Sequence, residues 1–217
     1  MTERTVERRS TKSPVKMATR ADGAKVLTGH GAVFYNSSDP GTEYHLWDDM
    51  SERIMPGAFD RAIREGQDVR CMYNHEQLMG RTKSGTMRMF VDSKGLGYEC
   101  DMSESSICKD VAIGIERGDI SGSSFAFIAT RSTWLEEQRD GKTVWIRQVE
   151  DCDLFDQGPV DYPAYESTTA AMRSKRDDVE AERKAFIESR KQTMTPAVDE
   201  VDLAVRMVDL DDDELPY

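Results

Sequence analysis

A mainly β domain with short α-helices (α+β), covering about residues 24–172, is the fold class this sequence predicts. Three observations predict it. Short runs of β-branched, aromatic and other apolar residues recur from residue 25 to residue 156, several with period-two alternation. Asp92-Ser93-Lys94-Gly95 and Asp140-Gly141 stand between such runs as hairpin turns. Only two stretches of this region repeat apolar residues at helical spacing. Many short strands joined by hairpins point to an antiparallel barrel or sandwich.

Residues 1–23 are polar, rich in Arg, Lys, Ser and Thr, and lack periodicity, so they are expected to form a disordered, mildly basic arm. The first strand is expected at residues 25–34, where Gly29 and Gly31 mark a bulge or close approach. Residues 36–42 read as a loop, and residues 46–54 mix polar and apolar types with no period that selects strand or helix. Pro56 opens and Gly66 closes a short helix whose Phe59, Ala62 and Ile63 share one face. Residues 69–81 begin as an apolar strand and end in polar residues and a glycine. Strands at residues 86–91 and 96–100 pair through the turn at Asp92.

Ile107, Val111 and Ile115 recur every fourth residue beside Cys108 and Ala112, which predicts an amphipathic helix ended by Gly118. Strands at residues 120–130 and 143–149 flank Asp140-Gly141. A last strand at residues 152–156 is expected to break at Gly158-Pro159. Residues 173–217 are highly charged and end in an acidic run, so they are expected to form a flexible or partner-binding tail outside the core. No internal repeat is visible.

Composition excludes several function classes. The net charge of -12 argues against a general nucleic-acid binder. No apolar run is long enough to span a membrane, and the first residues lack the apolar stretch of a secretory signal. Cys71, Cys100, Cys108 and Cys152 have no CxxC spacing and read as reduced, mostly buried thiols of a cytosolic protein. A zinc site built from them with His75 would lack the usual closely spaced ligand pair.

Two stretches carry residues suited to chemistry. His75 stands where strand gives way to loop, a place that holds a ring rigidly while it faces a cleft. Histidine is also the side chain suited to proton transfer near neutrality. In Ser121-Gly122-Ser123-Ser124-Phe125-Ala126-Phe127, alternation puts Ser124 with Gly122 and Ala126, away from Ser121, Ser123, Phe125 and Phe127. Those small neighbours leave the Ser124 hydroxyl uncrowded. Taken alone, a strand serine or a lone histidine is more often structural. Asp151, Asp153, Asp156 and Asp161 crowd one segment, and Asp156 shares parity with Leu154. A buried carboxylate there needs a donor, which an imidazole N–H supplies; turn hydrogen bonding explains a strand-end Asp equally well.

In combination these residues resemble a known family. Gly31-Ala32-Val33-Phe34 is followed by Pro56-Gly57-Ala58-Phe59-Asp60 and by Tyr73-Asn74-His75 with Gly80-Arg81. Ser124-Phe125-Ala126-Phe127, Leu154-Phe155-Asp156 and Pro163-Ala164-Tyr165 then follow in order. This series, over about residues 26–165, resembles the prohead maturation proteases of tailed phages, distant relatives of herpesvirus assemblins. Ala126 stands where that family commonly has glycine, and Asp156 where it often has glutamate.

The resemblance implies a serine protease with a small antiparallel β-barrel surrounded by helices, as in herpesvirus proteases. It implies His75 as catalytic base, Ser124 as nucleophile and Asp156 as the third member, with no metal or cofactor. The implied partners are the major capsid protein and scaffold, cleaved inside the procapsid in the host cytoplasm, with self-cleavage as well. No nucleic acid or membrane is implied, and a homo-oligomer is compatible. The competing expectation is a non-catalytic assembly or scaffolding protein that retains the fold.

Overall fold

The computed structural model describes residues 5–161 and 169–194. In chain order they form β1 (Glu7–Thr11), β2 (Lys16–Thr19), β3 (Lys25–Val33), β4 (Glu43–Trp47), β5 (Met50–Ile54), α1 (Asp60–Arg64), β6 (Arg70–Tyr73) and β7 (Gln77–Arg81). Then follow β8 (Met87–Val91), β9 (Gly95–Asp101), α2 (Ser106–Arg117), β10 (Gly122–Arg139), β11 (Lys142–Val160) and α3 (Thr169–Met194). The mainly β class with short helices is therefore observed.

Local chemistry explains several boundaries. The Ser105 side chain accepts from the Cys108 N–H at the start of α2, and Gly118 ends it in the left-handed region at φ 84°. Asp140 and Gly141 both have positive φ, as a two-residue hairpin turn requires, and join Arg139 directly to Lys142. Gly57, at φ 93°, delays α1 until Asp60, so this helix is shorter than the Pro56-to-Gly66 reading.

The strands form two sheets rather than one closed barrel. One has the order β1-β10-β11-β5-β4, with β6 on β11 and β7 on β6; the other has the order β2-β3-β9-β8. Nor is the first sheet purely antiparallel. β5 runs parallel to β11 at Trp145–Val149, and β6 runs parallel to it at Asp156–Gln157. Both strands reach the same edge of β11 end to end because the connection through α1 returns the chain in its original direction, which a hairpin cannot do.

Three further sequence expectations need correction. Residues 7–11 and 16–19 are strands, not part of a disordered arm. Their charge hid the pairing: Glu7 and Arg9 are buried against opposite charges, so no apolar alternation was present to see. β11 does not break at Gly158-Pro159 but runs through both to Val160. Proline needs no partner for an N–H it lacks, and the Pro159 carbonyl accepts from Asn74 N–H at 3.1 Å. Finally, residue 172 is no boundary, because α3 spans it and docks on the first sheet. Val179 packs with Met50 and Trp134, and Glu182 bonds Arg147 at 2.5 Å. Residues 1–4, 195–217 and the Pro163-Ala164-Tyr165 motif lie outside the described residues.

The main core lies between the sheets. Phe125 and Phe127 stack at 4.7 Å, Phe59 packs edge-on to Phe125, and Leu27, Leu96 and Tyr98 meet them from the second sheet. Full burial of each such side chain is worth about 1.5–3 kcal/mol. This packing fixes β10 and hence the position of its outward-facing residues.

Candidate active site

Ser124 lies near the start of β10, opposite Gly158 of β11 on one side and Ser10 of β1 on the other. Its side chain faces away from the Phe125–Phe127 core, as the alternation predicts. Ser123 faces the core instead, where its Oγ meets Tyr98 Oη at 2.9 Å.

Asp156 reaches the Ser124 face by a route that parity did not predict. Leu154 pairs with Phe127 but Asp156 pairs with Ala126, so Phe155 is an extra residue in β11. Such a bulge re-aims the side chains after it. Residues paired across strands share a face, so Asp156 joins Ala126 and Ser124, opposite Leu154. The expectation that Asp156 is buried holds, while its shared parity with Leu154 is undone by the bulge.

His75 is delivered by the turn between β6 and β7. Asn74 and His75 have φ of 53° and 60°, and Glu76 N–H donates to the Tyr73 carbonyl at 3.1 Å. Two consecutive left-handed residues define a tight hairpin turn, in a region uncommon for any residue but glycine, although Asn and His enter it more often than most. The surroundings hold it in place. Asn74 N–H donates to the Pro159 carbonyl, and Asn74 Oδ1 accepts from Asp161 N–H at 3.2 Å. Strain of this kind persists where neighbouring structure over-determines it, often at functional sites.

Gly158 sets the approach of the two strands. A Cβ there would lie 2.2 Å from the Met72 carbonyl oxygen, so β6 passes directly over this glycine. The result is a hydrogen-bonded series. His75 Nδ1 lies 2.5 Å from Asp156 Oδ1, and His75 Nε2 lies 2.7 Å from Ser124 Oγ. An ionised carboxylate only accepts, so Nδ1 donates and Nε2 is left to accept the serine proton. All three side chains are largely shielded from water: 12% of the His75 side chain and 10% of that of Asp156 are exposed.

The other candidates are engaged elsewhere. Asp153 and Asp151 both bind Arg61, at 2.7 and 2.8 Å. Asp161 Oδ2 accepts from Tyr73 Oη at 3.4 Å. His30 pairs with Asp92, and His45 is exposed on β4. The four cysteines are free and buried. Contact with Cys100, together with burial, pushes the Cys71 thiol well up. Among the described residues no cluster of three or more His, Cys, Asp or Glu could hold a metal ion.

Sequence reasoning missed two features of this site. The first is Asn74 as the anchor of the histidine turn, for which its tolerance of positive φ was the available signal. The second is β1, which lies along β10 so that the Arg9 carbonyl, 2.9 Å from Ser124 Oγ, is an alternative acceptor for the single hydroxyl proton. Nothing in the apolar pattern marked that strand.

The family model of the caudovirus prohead serine proteases matches residues 12–183. The chain belongs to this family. Prohead protease membership implies serine peptidase activity in phage capsid maturation, with phage capsid proteins as partners and the procapsid as the place of action. The matched range contains His75, Ser124 and Asp156 and begins just after β1. No curated protein and no solved structure matches the chain. Among the described residues no helix is long and apolar enough to cross a membrane.

Proposed function

We propose that this chain is the endopeptidase that cleaves scaffold, or the scaffolding segment of the major capsid protein, inside the procapsid, and that it also cleaves itself. The observation that carries this reading is the hydrogen-bonded series from Asp156 through His75 to Ser124. Family membership supports the substrate class.

In this reading Ser124 Oγ attacks the carbonyl carbon of the scissile peptide while His75 Nε2 takes its proton. Asp156 holds the imidazole tautomer and stabilises the cation that forms. Backbone N–H groups receive the oxyanion. His75 then returns the proton to the leaving nitrogen as the C–N bond breaks. Water attacks the resulting ester with His75 again as base, and Ser124 is regenerated.

The test is co-expression of the full chain with the phage's major capsid protein and scaffold, followed by intact-mass spectrometry. The expected result is truncated capsid protein or scaffold, absent with Ser124→Ala. Uncut partners alongside the wild-type chain, with the chain folded and co-assembled, would favour a non-catalytic assembly role.

A further inference from the structure

β1 is the edge strand of the first sheet, antiparallel to β10, with Arg9 opposite Phe125 and Ser10 opposite Ser124. That is where an extended peptide adds to a sheet when a protein reads it through main-chain hydrogen bonds. The strand also runs directly beside the proposed nucleophile, with Ser10 paired to Ser124. The Arg9 carbonyl, half of the Arg9–Ser10 peptide bond, lies 2.9 Å from Ser124 Oγ and competes with His75 Nε2 for the hydroxyl proton. A serine hydroxyl has one proton, so donation to this carbonyl and the transfer to His75 Nε2 exclude each other. β1 therefore holds the nucleophile in a resting state. The family match begins at residue 12, immediately after this strand.

The side chains of β1 enter a charged receptor made by other strands. Arg9 Nε donates to Glu52 Oε1 at 2.8 Å, and Arg147 Nη1 donates to Glu7 Oε1 at 2.8 Å. Arg147 Nη1 also bonds Glu52 Oε2 at 3.0 Å, and Glu182 of α3 closes the far side of Arg147. The Glu52 side chain is fully buried and that of Arg147 is 2% exposed. Burial raises the Glu52 carboxyl above its ordinary range, and the guanidinium groups of Arg9 and Arg147 oppose that rise. Burial alone would lower the Arg147 guanidinium, but Glu7, Glu52 and Glu182 outweigh it. Buried charges tolerate complementary partners and penalise apolar or like-charged ones heavily.

We propose that β1 occupies in cis the position of the substrate strand, and that Glu52 and Arg147 make this position selective for an acid-x-base segment whose basic residue supplies the carbonyl facing Ser124. Glu7-Arg8-Arg9 is the chain's own copy of that pattern. The inference rests on Ser124 as nucleophile. It adds the substrate chemistry: an extended peptide with a carboxylate two residues before an arginine or lysine.

The test separates binding from catalysis by using the full chain with Ser124→Ala. A fluorescent peptide of residues 5–12 is compared with one in which the Glu7 and Arg9 positions are exchanged, and amide exchange is followed across β1. The expected result is at least about tenfold tighter binding of the native order, with faster exchange in residues 7–11 as the peptide displaces β1. Equal binding of the two peptides, or unchanged exchange in β1 at saturation, would overturn the proposal.

A second arm uses Glu7→Arg with Arg9→Glu in the otherwise wild-type full chain. Like charges then meet Arg147 and Glu52, β1 is released, and kcat/KM for the native-order peptide rises at least about tenfold. A folded variant with unchanged or lower kcat/KM would make β1 an integral strand. Selective binding without hydrolysis by the wild-type chain would sink the catalytic reading and with it the substrate role of this position, leaving only peptide selection by Glu52 and Arg147.

Discussion

His75 and Asp156 meet through Nδ1 and Oδ1 at 2.5 Å, although 81 residues separate them in the chain. The contact depends on two irregularities, the left-handed turn that carries His75 and the bulge that turns Asp156 onto the Ser124 face. Asp156→Asn would present an amide to Nδ1 and remove the charge that favours the imidazolium. Cleavage should fall by about 10²–10⁴-fold, less than for loss of Ser124 or His75, with folding intact. Rates for Asp153→Asn and Asp161→Asn should stay near wild type, since neither carboxylate touches His75. A single-turnover assay on all three variants checks this.

Gly158→Ala is the sharpest packing test. Its Cβ would collide with the backbone carbonyl of Met72, which cannot rotate aside. β6 must shift and carry the His75 turn with it. The expected cost is about 1–3 kcal/mol of stability, with a loss of kcat that no stabilising additive restores. Chemical denaturation and kinetics on the same preparation measure both.

Ser123→Ala separates the two adjacent serines. It leaves Tyr98 Oη buried without its partner, which costs about 1–3 kcal/mol. The kcat should not change, because Ser123 faces the core. An inactive, folded Ser123→Ala variant would contradict the assignment of Ser124.

Acid stability should report on Glu43. Burial pushes its carboxyl up, but hydrogen bonds and charge from Arg139 and Arg53 win and hold it at about 2, against an ordinary 4.5. The folded value is depressed, so this contribution is fully present above the ordinary value and is lost as pH falls towards about 2. Glu43→Gln should be the less stable protein above about pH 5, with the two melting curves converging towards about pH 2. Parallel curves across that range would show that the Glu43 pairing contributes nothing.

Much of the fold was legible where local chemistry sets the outcome. The Asp140-Gly141 hairpin, the capped α2 and the outward parity of Ser124 all follow from turn residues, capping and alternation. What was hidden depends on partners distant in sequence. β5 is buried along its whole length with Ser51, Glu52 and Arg53 inside, so no apolar period could select it. β1 is invisible for the same reason, since its inward positions are charges matched by Glu52 and Arg147. The bulge at Phe155 leaves no mark in the residues and reverses the face of everything after it. Gly158-Pro159 resembles a strand end only until the close passage of β6 is seen.

The central claim is that Ser124 is the nucleophile activated by His75, and a phosphonate probe that labels active serines tests it most directly. The full chain is treated with the probe and the modified residue is located by peptide mass spectrometry. The account predicts a single adduct on Ser124, lost in His75→Ala and weakened in Asp156→Asn. Labelling of another serine, or an undiminished Ser124 adduct in His75→Ala, would contradict it.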